Sequence, residues 1–237
     1  MTEIGATAMV LAAGLGLRMR PLTGTLPKPL VEVAGKPLIA YGFDKLRAAG
    51  VTKAVVNVHY LAQQIEAWAT KQASPAIEIS DERRELLDTG GGIVRALPHL
   101  GEAPFFVINS DSFWVDGAEP ALERLRQAWD DRTMDCLLLL CPLDRTVGYE
   151  GAGDFMIDAG GGLTRRGRSA GKALVYAGAY LVHPRLFAGA PMGKFSMNLL
   201  WDTAISKGRL FGIAHDGRWI HVGSPEAVAA AARALAK

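Results

Sequence analysis

The chain has 237 residues, 49% of them apolar, with 24 acidic and 26 basic side chains. That is enough apolar material for one full core, and a net charge of +2 is too small to argue for nucleic acid or an anionic membrane surface as a partner. The two cysteines, Cys136 and Cys141, bound the run CLLLLC at an odd offset, which on a strand points them to opposite faces and argues against a mutual disulfide. They read as small buried hydrophobes of a reducing compartment. The N-terminus lacks the charged start and long apolar run of a secretory signal, and Ala8 to Ala13 is too short to span a bilayer. The expectation is a soluble, cytoplasmic protein, monomeric or a small homo-oligomer, with no membrane partner.

In chain order, Ala8 to Ala13 has the look of a strand buried on both faces. A Gly- and Pro-rich loop follows, and Pro37 opens a helical pattern that ends at Gly50, the expected asymmetry of proline at a helix start and glycine past its end. Ala54 to Val58 reads as a strand, Leu61 to Lys71 as a helix and Ala76 to Ser80 as a strand. A loop from Asp81 to Thr89 leads into a helix near Gly90 to Leu97. Phe105 to Ile108 is a buried strand, Glu119 to Trp129 a helix and Met134 to Cys141 a strand. This alternation predicts a parallel sheet covered on both sides. After Pro142, Asp154 to Ile157, Ala173 to Val182 and Arg209 to Ala214 read as strands without regular helical crossovers, antiparallel additions on the far side of a pocket. Ser224-Pro225-Glu226 then caps a final helix, Ala227 to Leu235. The predicted architecture is a Rossmann-like three-layer α/β fold with a mixed, mostly parallel sheet and a small antiparallel extension. It forms a single domain over 1–237, divisible into a first half to about residue 115 and a second half from about 116.

The chemistry concentrates after the first strand, in GLGLRMRPLTGTLPKP. Gly14 and Gly16 let the backbone approach phosphate closely, and Arg18 and Lys28 supply cations where two anionic reactants would otherwise repel. A dinucleotide fingerprint would need glycine or alanine where Met19 stands and a helix opening at once, whereas Pro21 and a loop to Pro29 intervene. The Gly-Lys-Ser/Thr of a P-loop is also missing. An ordinary Gly-rich turn with stray basic residues is the bland alternative; Pro27-Lys28 and Arg18 downstream of a buried strand favour phosphate binding.

Asn109-Ser110-Asp111 ends a buried strand, where open α/β sheets place ligands, and a carboxylate there suits Mg²⁺. The competing reading is a turn aspartate. Glu85-Leu86-Leu87-Asp88-Thr89-Gly90-Gly91-Gly92 precedes a helix, and by itself is also satisfied by a capped helix start. The basic run Arg165, Arg166, Arg168, Lys172 more often marks a solvated loop than an anion guide. His59, His99, His183 and His215 lack metal-ligand spacing and read as surface or capping residues, and Trp68, Trp114 and Trp129 read as packing.

Together, Leu11-Ala12-Ala13-Gly14-x-Gly16-x-Arg18 followed by Pro27-Lys28, the Asp88-to-Gly92 stretch, the acidic strand end and Trp219-x-x-x-Gly223 resemble the sugar-1-phosphate nucleotidyltransferase family over nearly the whole chain. That resemblance implies a Mg²⁺-dependent displacement in which a sugar phosphate oxygen attacks the α-phosphorus of a nucleoside triphosphate and pyrophosphate leaves. It gives Arg18 to the pyrophosphate and Lys28 to the reacting phosphates. Leu11, Ala12, Ala13, Gly14, Gly16, Glu85, Gly90 and Gly91 fall on the nucleotide, Asn109, Asp154, Tyr176 and Gly178 on the sugar, and Asp111 on the metal. The second metal carboxylate of the family falls at His221, a poor Mg²⁺ ligand by its chemistry. Three readings stand: His221 hydrogen-bonds a phosphate or a metal-bound water, another carboxylate such as Asp216 takes over, or activity is reduced. The first is preferred.

Within the family, Asp88-Thr89-Gly90-Gly91-Gly92-Ile93 and Gly153-Asp154-Phe155 are most similar to N-acetylmuramate 1-phosphate uridylyltransferases, and no Glu-Lys-Pro occurs. UTP and N-acetylmuramate 1-phosphate are thus the expected substrates, in cell-wall sugar recycling. Mannose, heptose or glucose 1-phosphate is the alternative within the class, and a catalytically impaired sugar-nucleotide-binding regulator the alternative outside it.

Overall fold

The structure, a computed structural model, describes residues 4–167 and 171–236. Strand β1 (Thr7–Leu11) has Ala8, Met9 and Val10 buried on its two faces. A loop with 3₁₀ turns at Leu17–Met19, Leu22–Gly24 and Lys28–Leu30 leads to the short strands β2 (Glu32–Val33) and β3 (Lys36–Pro37). Pro37 opens α1 (Leu38–Ala48), and Gly50 closes the segment at φ +72°. Then come β4 (Lys53–Val58), α2 (Ala62–Ala69), β5 (Ala76–Asp81), α3 (Asp88–Leu100), β6 (Phe105–Asn109), β7 (Ser112–Val115), α4 (Ala121–Ala128) and β8 (Cys136–Pro142). The remainder is β9 (Thr146–Val147), β10 (Phe155–Ile157), β11 (Leu163–Arg165), β12 (Leu174–Val182), α5 (Asn198–Ser206), β13 (Leu210–Ala214), β14 (Arg218–His221) and α6 (Pro225–Leu235).

The main sheet runs β11-β10-β12-β6-β1-β4-β5, with β8 beside β12 and β13 beside β8. β1 is parallel to both β4 and β6, so the chain leaves it toward opposite edges. The crevice above such a reversal is where open α/β sheets bind ligands. It lies here at the paired ends Leu11 and Asn109.

Alternation along the strands sorts the core into two faces. Ala8 and Val10, Phe106 and Ile108, and Leu137, Leu139 and Cys141 point to one face, covered by Phe43 and Leu46 of α1, Ile65 of α2 and Leu125 of α4. Met9, Phe105 and Val107, with Cys136, Leu138 and Leu140, point to the other, covered by Ile93 and Ala96 of α3 and Leu200, Trp201 and Ala204 of α5. The three-layer α/β architecture is as expected, and the two cysteines are free, buried and on opposite faces. Among the described residues no helix is long and apolar enough to cross a membrane.

Two features differ from the sequence-based expectation. β13 runs parallel to β8 after the helix α5, so a helical connection exists where none was expected. The start of α5 carries no capping side chain, which removes the usual sequence marker. A separate three-stranded sheet, β7-β14-β9, was also not foreseen. α6 and the loop after β1 pack on that sheet through Met19, Val31, Phe113, Ile220, Val222 and Ala231. Part of the basic run near residue 168 lies outside the described residues.

Candidate active site

The loop after β1 folds back so that Lys28 reaches the end of β6. Gly16 adopts φ +63°, and a Cβ there would lie 3.1 Å from both Lys28 Cβ and Thr23 Cγ2, so a side chain would push the lysine out of place. The Thr23 hydroxyl donates to the Gly16 carbonyl at 2.7 Å and closes the loop. Lys28, only 8% exposed, donates from Nζ to Asp111 Oδ2 at 2.9 Å. Burial opposes ionisation of Asp111, but the Lys28 ammonium and its hydrogen bond, with His221 and Arg18, hold the carboxyl below the usual range. Asp111 is therefore a carboxylate at neutral pH.

His221 arrives from 110 residues downstream through the small sheet. β14 pairs antiparallel with β7, setting His221 opposite Ser112, and the Val222 N–H donates to the Asp111 carbonyl at 3.3 Å. Its ring stacks on Trp219, 5.5 Å between centroids. Burial pushes the imidazole below its usual pKa; Asp111 opposes that, and Lys28 and Arg18 reinforce it. A neutral imidazole offers one N–H donor and one acceptor, which suits a phosphate oxygen or a water better than Mg²⁺. Asp216 is engaged elsewhere, accepting from Arg124 at 2.9 Å and from the Ala118 N–H at 3.1 Å.

Two adjoining hollows open above the crevice. One, of about 320 Å³, is lined by Leu11, Ala13, Gly14, Lys28, Asn57, Leu86, Asp88, Thr89, Asn109, Asp111 and Lys194, among others. The other, of about 330 Å³, shares Leu11, Asp88, Thr89 and Asn109 and extends to Asp154, Phe155, Arg165, Tyr176 and Trp201. Asp111 lines only the first. Among the described residues no three His, Cys, Asp or Glu side chains converge as a metal site. Mg²⁺ commonly takes one or two carboxylates and completes its shell with substrate phosphates and water, so Asp111 fits a Mg²⁺ that arrives with a triphosphate.

A buried polar chain, not singled out in the sequence, ties this wall together. The Ala12 N–H donates to Asn57 Oδ1 at 2.7 Å, Asn57 Nδ2 donates to Glu82 Oε1 at 2.7 Å, and the Leu87 N–H donates to Glu82 Oε2 at 3.1 Å. Asn57 is 2% exposed and Glu82 fully buried, and burial raises the Glu82 pKa. Gly92 leaves them room: a Cβ there would sit 2.7 Å from Glu82 Oε1 and 2.8 Å from Asn57 Nδ2. A polar residue inside the apolar run AVVNV was the available signal.

The second hollow is built around β12. Asp154 Oδ2 accepts from the Tyr176 N–H at 2.9 Å, and the Tyr176 ring meets Trp201 edge-on at 5.0 Å. The register of β12 against β8 shifts between Tyr176 and Tyr180, and Gly178 there takes φ +77°. A Cβ on Gly178 would lie 2.5 Å from Ser112 Oγ, so a bare residue is needed for this close approach to β7, with Asn109 Cβ at an ordinary 3.4 Å beyond.

Not all expected site residues line these hollows. Gly90 and Gly91 donate their N–H groups to the Phe195 carbonyl, at 2.9 and 3.2 Å, and face the 193–195 segment. Ala12 is buried behind the wall, and Glu85 is exposed outside it. Arg18 stands exposed on the first 3₁₀ turn, near enough to act on Asp111 and His221. Lys194 is the cation the sequence reading missed; it sits in an irregular segment with no periodicity to mark it.

The chain matches the Nucleotidyl transferase family across residues 7–145 and belongs to that family. It is 45% identical to the N-acetylmuramate alpha-1-phosphate uridylyltransferase of Caulobacter vibrioides over the full length of both chains. It is 34% identical to the protein of the same description from Neisseria meningitidis serogroup B, covering 92% of this chain and 93% of that one. Its fold is shared with UDP-glucose pyrophosphorylase complexed with UDP-glucose, with a TM-score of 0.79, 16% identity and 99% of each chain covered. The protein is a nucleotidyltransferase.

Proposed function

We propose that this nucleotidyltransferase transfers the uridylyl group of UTP to N-acetylmuramate 1-phosphate, forming UDP-N-acetylmuramate and pyrophosphate, as a cytoplasmic step of cell-wall sugar recycling. The observation that carries the reading is the Lys28–Asp111 pair on the wall of one hollow, with a second hollow adjoining it through Leu11, Asp88, Thr89 and Asn109. The two uridylyltransferase relatives support the choice of base and sugar.

The triphosphate lies along Ala13 and Gly14, with its base toward Leu86, Asp88 and Thr89. Lys28, on the wall of the first hollow, contacts the α-phosphate, and Arg18 binds the departing pyrophosphate. The sugar phosphate oxygen attacks the α-phosphorus as the bond to the β-phosphate oxygen breaks. Lys28 and Lys194 offset the repulsion between the two anions. Mg²⁺, when bound at Asp111 with the triphosphate, neutralises charge on the phosphates. His221 donates its N–H to a phosphate oxygen or a bound water, and Tyr176 and Asn109 wall the sugar.

A pyrophosphate-release assay tests this, run with and without Mg²⁺ over UTP, GTP, CTP and dTTP against N-acetylmuramate, mannose, heptose and glucose 1-phosphates. UTP with N-acetylmuramate 1-phosphate should be the fastest pair and should need Mg²⁺. Release for no pair, with tight binding of the UDP-sugar, would make the protein a binder instead.

A further inference from the structure

Among the described residues lining the second hollow, Arg165 is the only cation, and Asp88 and Asp154 are carboxylates. An acidic substituent on a bound sugar would be repelled there unless a cation faced it. Arg165 is held ready for that task. Its guanidinium lies over the Phe155 ring, 4.7 Å from the centroid. Its Nε donates to Asp202 Oδ1 at 2.7 Å, and Nη2 donates to Asn198 Oδ1 at 3.0 Å and to the Asn198 carbonyl at 3.3 Å. These contacts use one flank of the fork, and no protein acceptor is found for Nη1 among the described residues. Two elements, β11 and α5, thus fix one cation at the edge of the sugar hollow, with donor capacity left over.

We infer that Arg165 determines acceptor specificity by pairing with a carboxylate carried by the sugar itself, apart from its 1-phosphate. The inference rests on the substrate reading above and deepens it, because a muramate differs from the corresponding glucosamine by a lactyl ether bearing such a carboxylate. A guanidinium suits the role, since its planar fork pairs with a carboxylate while still bound on its other edge. Asp202 is exposed enough for water to screen its pull on Arg165. The neutral sugar lacking the lactyl group gains nothing from this contact and leaves the guanidinium hydrated.

The test compares wild type with Arg165→Met and Arg165→Lys, using UTP and two acceptors, N-acetylmuramate 1-phosphate and N-acetylglucosamine 1-phosphate. The neutral acceptor also reports whether each variant still folds. Arg165→Met is expected to lower kcat/KM for the acidic acceptor about 50-fold, chiefly through KM, and to leave the neutral one within about threefold. Arg165→Lys should recover part of the loss. An equal fall for both acceptors, or no fall for either, overturns the inference. A wild type that uses both acceptors equally well also overturns it but leaves the nucleotidyl-transfer reading in place. Turnover of neither acceptor by wild type would instead sink the substrate reading, and the inference with it.

Discussion

Lys28 and Asp111 depend on each other in a way that separates their roles. The carboxylate stays ionised in a partly enclosed place because the ammonium is 2.9 Å away. Replacing Lys28 with Met should lower kcat/KM by about 100- to 1,000-fold, the scale for losing one donor to a developing phosphate charge. Asp111→Asn should cost a similar factor and raise the Mg²⁺ concentration needed for half-maximal rate. Unchanged Mg²⁺ dependence in that variant would remove Asp111 from metal binding. His221 gives a sharper contrast, because its imidazole is neutral at working pH. His221→Ala should slow turnover by roughly tenfold through loss of a hydrogen-bond donor. His221→Asp supplies a carboxylate beside Asp111; a large gain in Mg²⁺-dependent rate would show that histidine is a handicap, against the role assigned here. The identities of Arg18, Lys28 and Asp111 were all visible in the sequence, because glycine spacing and a strand end mark them locally. Lys194 and Glu82 were not, since their placement depends on contacts between distant segments, and Asn57 left only the mark of a polar residue within AVVNV.

Elements decide whether these side chains meet. The chain from the Ala12 N–H through Asn57 and Glu82 to the Leu87 N–H joins the loop after β1 to the start of α3 across two strands. Gly92→Ala would push a methyl into that buried chain, with an expected cost of ~1–3 kcal/mol. That should lower Tm by roughly 2–10 °C and raise KM for the triphosphate; an unchanged Tm would contradict the close approach at Gly92. His215, expected at the surface or in a cap, is instead 1% exposed between β13 and β7, with its Nε2 at 3.0 Å from the Val115 carbonyl. Its Nδ1 is buried without a partner among the described residues, and burial lowers its pKa. The unfolded chain then binds the proton first as pH falls. Stability is full above about pH 6.5, falls as pH drops below it, and levels off once the folded-state pKa is passed. His215→Gln should flatten part of that loss, as followed by urea unfolding between pH 7.5 and 5; an identical slope in both proteins would refute the assignment. The alternation of strands and helices up to β8 was legible because each element carries its own period. The sheet β7-β14-β9 was not, because its strands are two to four residues long and pair across about 70 to 110 positions.

At the scale of the molecule, the sheet does the positioning. Reversal at β1 opens the crevice, β6 delivers Asn109 and Asp111 to its rim, and the small sheet brings His221 alongside. The class of fold was readable from periodicity, whereas the stretch between Pro142 and Ala214 was read as antiparallel strands without helical crossovers. That missed α5 and the parallel pairing of β13, and with them the support for Arg165 and Trp201. β12 was legible as a strand, but its register shift between Tyr176 and Tyr180 was not, because Gly178 there packs against Ser112, which is distant in sequence. The two-hollow arrangement makes a geometric commitment that a crystal structure with UDP-N-acetylmuramate can check. The uracil should lie against Leu86, Asp88 and Thr89, the phosphates beside Lys28 and Asp111, and the sugar between Tyr176 and Arg165. A product bound with its sugar in the Gly14–Lys28 hollow, or away from Asp111 altogether, would contradict this account.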